Sequence, residues 1–227
     1  MQAIIFDMDG VLVDSMHYHA EAWDVALKTV GICIDKKMIY ELEGANYRQV
    51  IDILLKQFGD TPTEEKIQDI GSKKLTIFGQ IACVKPFDGI QELLETLKPR
   101  YKLAVVSGSN RKTVDATINN FFPDTFQVIV GGDETKISKP SPEPYLMAVE
   151  KLGVPKEDCL VIENAPFGVR SAKSAGLRCI AITTYLGKDC LKEADMVVDN
   201  HSELVRYITG GTPDSIFGLQ TTTEPLS

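Results

Sequence analysis

The sequence predicts an α/β protein, with a parallel sheet covered by helices on both faces and a small all-helical unit inserted after the first strand. Over the second half of the chain, short apolar runs alternate with amphipathic segments, which is typical of strand–helix–strand units. The stretch from Ser15 to Cys83 breaks this rhythm and carries apolar residues only at helical spacing. The length of 227 residues, 44% of them hydrophobic, fits a core domain with an insert.

The strands are predicted from apolar, partly β-branched runs bounded by Gly, Asp or polar residues. They are Ala3 to Phe6, Lys102 to Val106, Gln127 to Val130, Cys159 to Ile162, Arg178 to Ile182 and Met196 to Val198. The amphipathic segments between them predict helices over Gly89 to Lys98, Arg111 to Asn119, Pro142 to Leu152, Pro166 to Ala175 and Ser202 to Ile208.

The inserted unit is predicted to hold three or four helices and to form a cap over the end of the first strand. Glycines and a Gly–Asp–Thr–Pro turn separate its helical segments. We therefore divide the chain into a core (1–15 and 84–209), a cap (16–83) and a flexible tail (210–227), with hinges near 14–16 and 84–87.

The composition limits the classes of partner. A net charge of -8 argues against a general surface for nucleic acid or for an anionic membrane. No run approaches the ~18 apolar residues of a membrane span, and the N-terminus lacks the features of an export signal. The cysteine count is odd and the spacing is wide, which favours reduced thiols and a cytoplasmic location.

The phrase FDMDGVLVDS is the most informative segment. The first predicted strand delivers Asp7 to its carboxyl end, and Asp9 and Gly10 follow in a turn. Taken alone, the two aspartates could be ordinary turn formers. Two further strands end in small or polar residues, Ser107 to Asn110 and Glu163 with Asn164. Ser109 or Asn110 could cap a helix, offer hydrogen bonds to an anion, or do both.

These segments, with the Lys139–Pro140 pair, resemble in order the signature motifs of the haloacid dehalogenase superfamily, over about residues 2–208. Within that superfamily, the chain is similar to the branch of β-phosphoglucomutase-like proteins and sugar-phosphate phosphatases, which have a small helical cap. The resemblance implies a three-layer Rossmann-like core and a Mg²⁺-dependent phosphomonoesterase. Its substrate would be a small phosphorylated metabolite, and we expect a monomer or a weak homodimer.

In that family pattern Asp7 is the nucleophile, Asp9 the general acid and base, and Ser107 and Lys139 hold the phosphoryl group. We expect Asp7 to stay ionised beside a cation and Lys139, and Asp9 to have a raised pKa. The metal ligands implied by the motifs are Asp7, Asp9, Glu163 and Asn164. Candidate substrate-binding residues are Gly108, Ser109, Asn110, His19, Trp23 and Arg48.

The sequence departs from the family pattern at several positions. Asn164 stands where many relatives have an acid, so one negative charge is missing from the metal site. In the cap, Glu43 replaces the lysine of the mutase pattern and Arg48 comes one position late, while Lys73 or Lys74 could supply a cap cation. These differences favour a phosphatase over a mutase.

Three other readings stay open. Trp23 and His19 could be packing residues of the cap. The whole chain could be a binding or regulatory protein on the same scaffold. A dehalogenase would need neither Mg²⁺ nor an acid at the position of Asp9.

Overall fold

The computed structural model describes residues 1–210 and confirms the predicted α/β class. The strands are β1 (Ala3–Phe6), β2 (Val13–Asp14), β3 (Lys85–Pro86), β4 (Lys102–Val106), β5 (Val128–Val130), β6 (Cys159–Glu163), β7 (Arg178–Ile182) and β8 (Met196–Val198). The helices are α1 (Met16–Lys28), α2 (Lys36–Glu41), α3 (Tyr47–Gln57), α4 (Glu64–Ile81), α5 (Ile90–Leu97), α6 (Arg111–Phe121), α7 (Glu143–Leu152), α8 (Pro166–Ser174) and α9 (His201–Gly210).

Six strands form one parallel sheet in the order β5-β4-β1-β6-β7-β8. Side chains of β1 alternate between its two faces: Ile4 and Phe6 join one apolar cluster, and Ala3 and Ile5 join the other. Both faces are buried under helices, which explains why the strand sequences are nearly continuous apolar runs. The sheet order places the ends of β4, β1 and β6 side by side.

The four helices α1 to α4 lie within the predicted cap range and have an apolar core of their own. Trp23, Ile51, Leu54 and Ile70 are among its buried residues. The predicted hinges meet in a two-stranded antiparallel ribbon, β2 with β3, which the sequence analysis missed. Two residues per strand are too few to produce a periodic pattern.

The predicted element boundaries differ from the observed ones by one or two residues. The largest extensions are in α6, which reaches Phe121, and in α9, which covers His201–Gly210. The predicted flexible tail lies almost wholly outside the described residues. Within residues 1–210, no helix is long and apolar enough to cross a membrane, and the five cysteines are free thiols.

Candidate active site

The candidate site lies at the carboxyl end of the sheet, where three neighbouring parallel strands end. Asp7 follows β1, Ser107 follows β4, and Glu163 is the last residue of β6. Backbone pairing fixes these positions, because the Asp7 N–H donates to the carbonyl of Ile162 at 2.9 Å. Polar groups far apart in sequence therefore converge, as expected for an open parallel sheet.

Asp7 is almost fully buried, with 2% of its surface exposed. Its Oδ1 accepts a hydrogen bond from the Lys139 Nζ at 2.6 Å, whereas its Oδ2 has no partner within residues 1–210. Burial raises the pKa of Asp7 well above its ordinary value; Lys139 opposes the shift, and the nearby Glu163 carboxylate adds to it. Lys139 therefore offsets only part of this shift, and an ionised Asp7 stays a prediction.

Lys139 is the buried cation of the site and bridges two carboxylates. Besides Asp7, its Nζ donates to Glu163 Oε1 at 2.7 Å and to the Val106 carbonyl at 3.0 Å. The ammonium also lies 4.9 Å from the ring centroid of Tyr145. Burial lowers the pKa of Lys139, but the charges of Asp7 and Glu163 outweigh it and hold the pKa above its usual value.

Glu163 is placed differently from the predicted metal ligand. Its Oε1 accepts from Lys139 and from the Tyr145 hydroxyl, the latter at 2.7 Å, while its Oε2 accepts from the N–H groups of Asn164 at 2.8 Å and Ala165 at 3.2 Å. These four donors use up the lone pairs of the carboxylate. The geometry therefore disfavours a metal-ligand role and gives Glu163 the role of positioning Lys139. Tyr145, which completes this network, was not identified from the sequence.

Asp9 is surrounded by donors. Its Oδ1 accepts from the Ser15 hydroxyl at 2.5 Å and lies 3.3 Å from Nε2 of His19. Its Oδ2 accepts from the hydroxyls of Ser107 at 3.3 Å and Ser109 at 3.2 Å. The two motif serines thus contact the second aspartate directly.

The expectation of a raised pKa for Asp9 is wrong for this conformation. Burial raises the pKa, but the charge and hydrogen bond of His19 and the Ser15 hydrogen bond outweigh it and lower the pKa to about 2. Hydrogen bonds to the ionised form favour that form. The motif alone does not reveal this, because the deciding partner, His19, comes from the cap.

Asn164 and Glu43 form a contact between core and cap. The Asn164 Nδ2 lies 3.0 Å from both carboxylate oxygens of Glu43, and Asn164 Oδ1 has no partner within the described residues. Burial, together with the charge of Asp7, raises the pKa of Glu43 well above its ordinary value. A side chain at Gly10, whose φ is +85°, would place its Cβ 2.1 Å from Asn164 Nδ2, so this turn requires glycine.

The residues at this edge fit a hard divalent cation. No three His, Cys, Asp or Glu side chains within residues 1–210 converge in a metal-binding geometry, so a metal here needs amide or backbone oxygens as well. Two buried oxygens without partners, Asp7 Oδ2 and Asn164 Oδ1, are of the kind that Mg²⁺ accepts. The surrounding excess of carboxylates over ammonium groups also favours a cation.

A cavity of about 320 Å³ separates this edge from the cap. Of the predicted residues, those that line it are Asp7, Asp9, His19, Trp23, Gly108, Ser109 and Asn110. Asn110 is also the N-cap of α6, because its side-chain oxygen accepts from the Thr113 N–H at 3.0 Å. Both roles considered for the segment after β4 are thus compatible with its position.

The cap contributes a cation that the sequence analysis left undecided. Lys74 Nζ lies 2.8 Å from His19 Nδ1 and 5.4 Å from the ring centroid of Trp23. Burial lowers the pKa of Lys74 to about 8, although the charge of Asp9 opposes the shift. Lys73 instead pairs with Asp69 at 2.6 Å, away from the cavity. His19 and Trp23 therefore both face the cavity and pack within the cap.

Arg48 does not line the cavity. Its guanidinium pairs with Glu64 on the protein surface, with Nη1 3.0 Å from Oε1. The preceding residue, Tyr47, lines the cavity in its place. Successive helical residues point about 100° apart, so a one-residue offset at the start of α3 turns the arginine away. The predicted substrate-binding role of Arg48 is not supported by this placement.

Comparison with known proteins identifies the family of the chain. The haloacid dehalogenase-like hydrolase family matches residues 4–182. The chain is 31% identical to β-phosphoglucomutase of Bacillus subtilis over 211 residues, covering 90% of this chain and 92% of the relative. It is 32% identical to a phosphorylated carbohydrates phosphatase of Thermotoga maritima over 183 residues, covering 79% and 84%.

A solved structure shows the same architecture. β-Phosphoglucomutase from Clostridium difficile superimposes with a TM-score of 0.82 at 28% identity, covering 96% of this chain and 99% of that one. Sequence and fold thus agree, and the protein belongs to the haloacid dehalogenase-like hydrolase family.

Proposed function

We propose that the protein is a Mg²⁺-dependent phosphomonoesterase that hydrolyses a small sugar or polyol phosphate. The observation that carries the proposal is the Asp7 carboxylate, which is held by Lys139 at one oxygen and has no partner at the other within the described residues. Such a group can attack phosphorus if positive charge is nearby. The similarity to a phosphatase of phosphorylated carbohydrates supports the substrate class.

In the proposed mechanism, an Asp7 oxygen forms a bond to phosphorus as the ester P–O bond breaks, which gives an aspartyl phosphate. Asp9 donates a proton to the leaving oxygen, then accepts a proton from the water that attacks phosphorus and releases Asp7. Asp7 and Asn164 would hold Mg²⁺, which would neutralise charge on the phosphoryl group. Because the pKa of Asp9 is about 2 here, Asp9 must gain its proton with the substrate. A phosphate dianion close by favours this, since like charge raises a carboxyl pKa.

The cavity favours a leaving group without a second phosphate. On the cap side its wall includes apolar and neutral residues such as Trp23, Tyr47 and Phe78, with Lys74 as a cation beside His19. Glu43 is buried in the cap next to Asn164, and Arg48 faces the surface. A mutase has to hold a bisphosphate, which needs cations at both ends of the cavity. The cap of this chain places a carboxylate close to the metal-binding edge instead.

The test is phosphate release from a panel of sugar and polyol phosphates, with and without Mg²⁺. We expect release that depends on Mg²⁺ and is abolished by Asp7→Asn, which removes the nucleophile but keeps the shape of the side chain. Normal turnover by Asp7→Asn would contradict the mechanism. Loss of activity counts only if Asp7→Asn has the circular dichroism spectrum of the wild type.

A mutase is the second candidate, because the chain is similar to β-phosphoglucomutases in sequence and structure. The same panel distinguishes the two functions when it includes β-glucose 1-phosphate. Formation of glucose 6-phosphate without net release of phosphate would identify a mutase and overturn the proposed phosphatase.

A further inference from the structure

Glu43 is a buried carboxylate that the proposed mechanism does not use. It lies in the cap loop between α2 and α3, has 7% of its surface exposed, and forms no ion pair within residues 1–210. Burying a carboxylate without a counter-ion is costly. Its contact is the Asn164 amide of the core, which donates from Nδ2 to both carboxylate oxygens at 3.0 Å.

This contact fixes the orientation of the Asn164 side chain. Because the two ends of a planar amide point in different directions, committing the NH₂ group to Glu43 leaves Oδ1 directed elsewhere. That oxygen is buried and has no partner in the part of the chain that the structure describes, and the same is true of Asp7 Oδ2. A hydrogen-bond partner that orients a metal ligand also tunes the affinity of the site.

The contact joins the cap to a candidate metal ligand of the core. Asn164 offers one amide oxygen, and its usefulness to a cation depends on where that oxygen points. We propose that Asn164 and Glu43 together act as one divided metal ligand, with Asn164 supplying the oxygen and Glu43 fixing its orientation.

The proposal makes metal binding depend on cap closure. The loop that carries Glu43 is docked on the core, since the Asn46 N–H donates to the Ser138 hydroxyl at 3.1 Å. The Asn46 Nδ2 also lies 3.5 Å from the Gly132 carbonyl. If the cap opens, Glu43 leaves Asn164 and the amide loses the contact that orients it. By linkage, a cation that binds the closed form more tightly also stabilises closure.

The test is the Mg²⁺ dissociation constant of the full chain, measured by titration calorimetry without substrate. Glu43→Leu removes both acceptor oxygens, and we expect it to weaken Mg²⁺ binding about 10- to 100-fold, whereas Glu43→Gln keeps one acceptor and should lose less. Glu41→Leu, at an exposed position two residues earlier, is the matched control and should bind like the wild type. An unchanged affinity in Glu43→Leu would overturn the proposal. Glu43→Asp, which withdraws both acceptors by one methylene, provides a second measurement if the leucine variant does not fold.

Asn164→Asp gives an independent check, because it removes the NH₂ group that Glu43 holds. With a carboxylate at 164 there is no amide to orient, so Glu43→Leu in that background should leave Mg²⁺ affinity unchanged. Equal losses in both backgrounds would rule out a shared role.

The inference rests on the proposed Mg²⁺ dependence, and the two can fail separately. A wild-type protein that binds no Mg²⁺ would overturn both. A wild type that binds Mg²⁺ and hydrolyses phosphate esters, with a Glu43→Leu variant of equal Mg²⁺ affinity, would overturn only the divided ligand.

Discussion

Lys139 is the residue on which the electrostatics of the site depend. Its ammonium is buried between Asp7 and Glu163, with 1% of its side chain exposed. A buried charge of this kind is held by its partners, and removing one partner leaves the others uncompensated. The lysine therefore has a structural role in addition to its proposed contact with phosphate.

We expect Lys139→Met to lower the free energy of unfolding by about 3–5 kcal/mol, because two carboxylates lose their shared counter-ion. Urea unfolding in the presence of a chelator measures this loss. The double variant Lys139→Met/Glu163→Gln should lose less, since one of the stranded charges is neutralised. A double variant as unstable as the single one would show that packing, and not charge, accounts for the loss.

At the scale of elements, α6 begins at the site, and the residues at its start both cap the helix and line the cavity. Asn110 accepts from the Thr113 N–H and lines the cavity. A helix needs side-chain acceptors for its first N–H groups. The types of residue allowed at this position are therefore restricted, whatever its role in catalysis.

Asn110→Ala should cost about 1 kcal/mol of stability through loss of the cap. Asn110→Asp keeps a capping oxygen and should retain that stability, but it places a carboxylate on the wall of the cavity in which we propose that the phosphate ester binds. We expect turnover to fall in both variants and the free energy of unfolding to fall only in the alanine variant. Unimpaired turnover in Asn110→Asp would limit Asn110 to capping.

The ribbon of β2 and β3 connects the cap to the core. It pairs the chain entering the cap with the chain leaving it, with Asp14 opposite Lys85. Because the two connecting segments are hydrogen-bonded to each other, the cap is attached to the core at one place. Such an attachment suits a hinge.

In the whole molecule, the cap and the core domain have separate apolar clusters and meet at the site. The clusters on the two faces of the sheet contain no residue of α1 to α4, and the cap has its own cluster. The contact between them is close: a Cβ at Gly108 would lie 2.7 Å from the Gly44 carbonyl oxygen and 2.8 Å from that of Ala45. Closure therefore requires a glycine at this point of the core.

Gly108→Ala should hold the cap open, because the new methyl group meets the backbone of the cap loop and cannot be avoided by rotating a side chain. We expect a larger radius of gyration in small-angle X-ray scattering, with little change in the stability of the core. Gly79→Ala is the matched control, because a Cβ there meets nothing within 4 Å. An unchanged radius of gyration in Gly108→Ala would show that the cap loop moves aside and the cap stays closed.

The sequence by itself determined the sheet, the cap and the residues delivered to the strand ends. Apolar runs specify buried strands, and the ends of neighbouring parallel strands share one edge, so Asp7, Ser107 and Glu163 could be assigned to one place. Patterns of this kind depend only on residues that are close together in the sequence. The family motifs added Lys139, whose position in a proline-rich turn shows no periodicity of its own.

Only the tertiary structure decided how these groups interact across the interface between cap and core. It showed that contacts including His19 lower the pKa of Asp9, that Glu163 accepts a hydrogen bond from Lys139, that Arg48 faces the surface, and that Glu43 meets Asn164. These facts depend on helix phase and on distances between segments up to 121 residues apart. A pKa or a ligand role is set by the groups that surround a side chain in space, and the neighbours of a residue in sequence do not specify them.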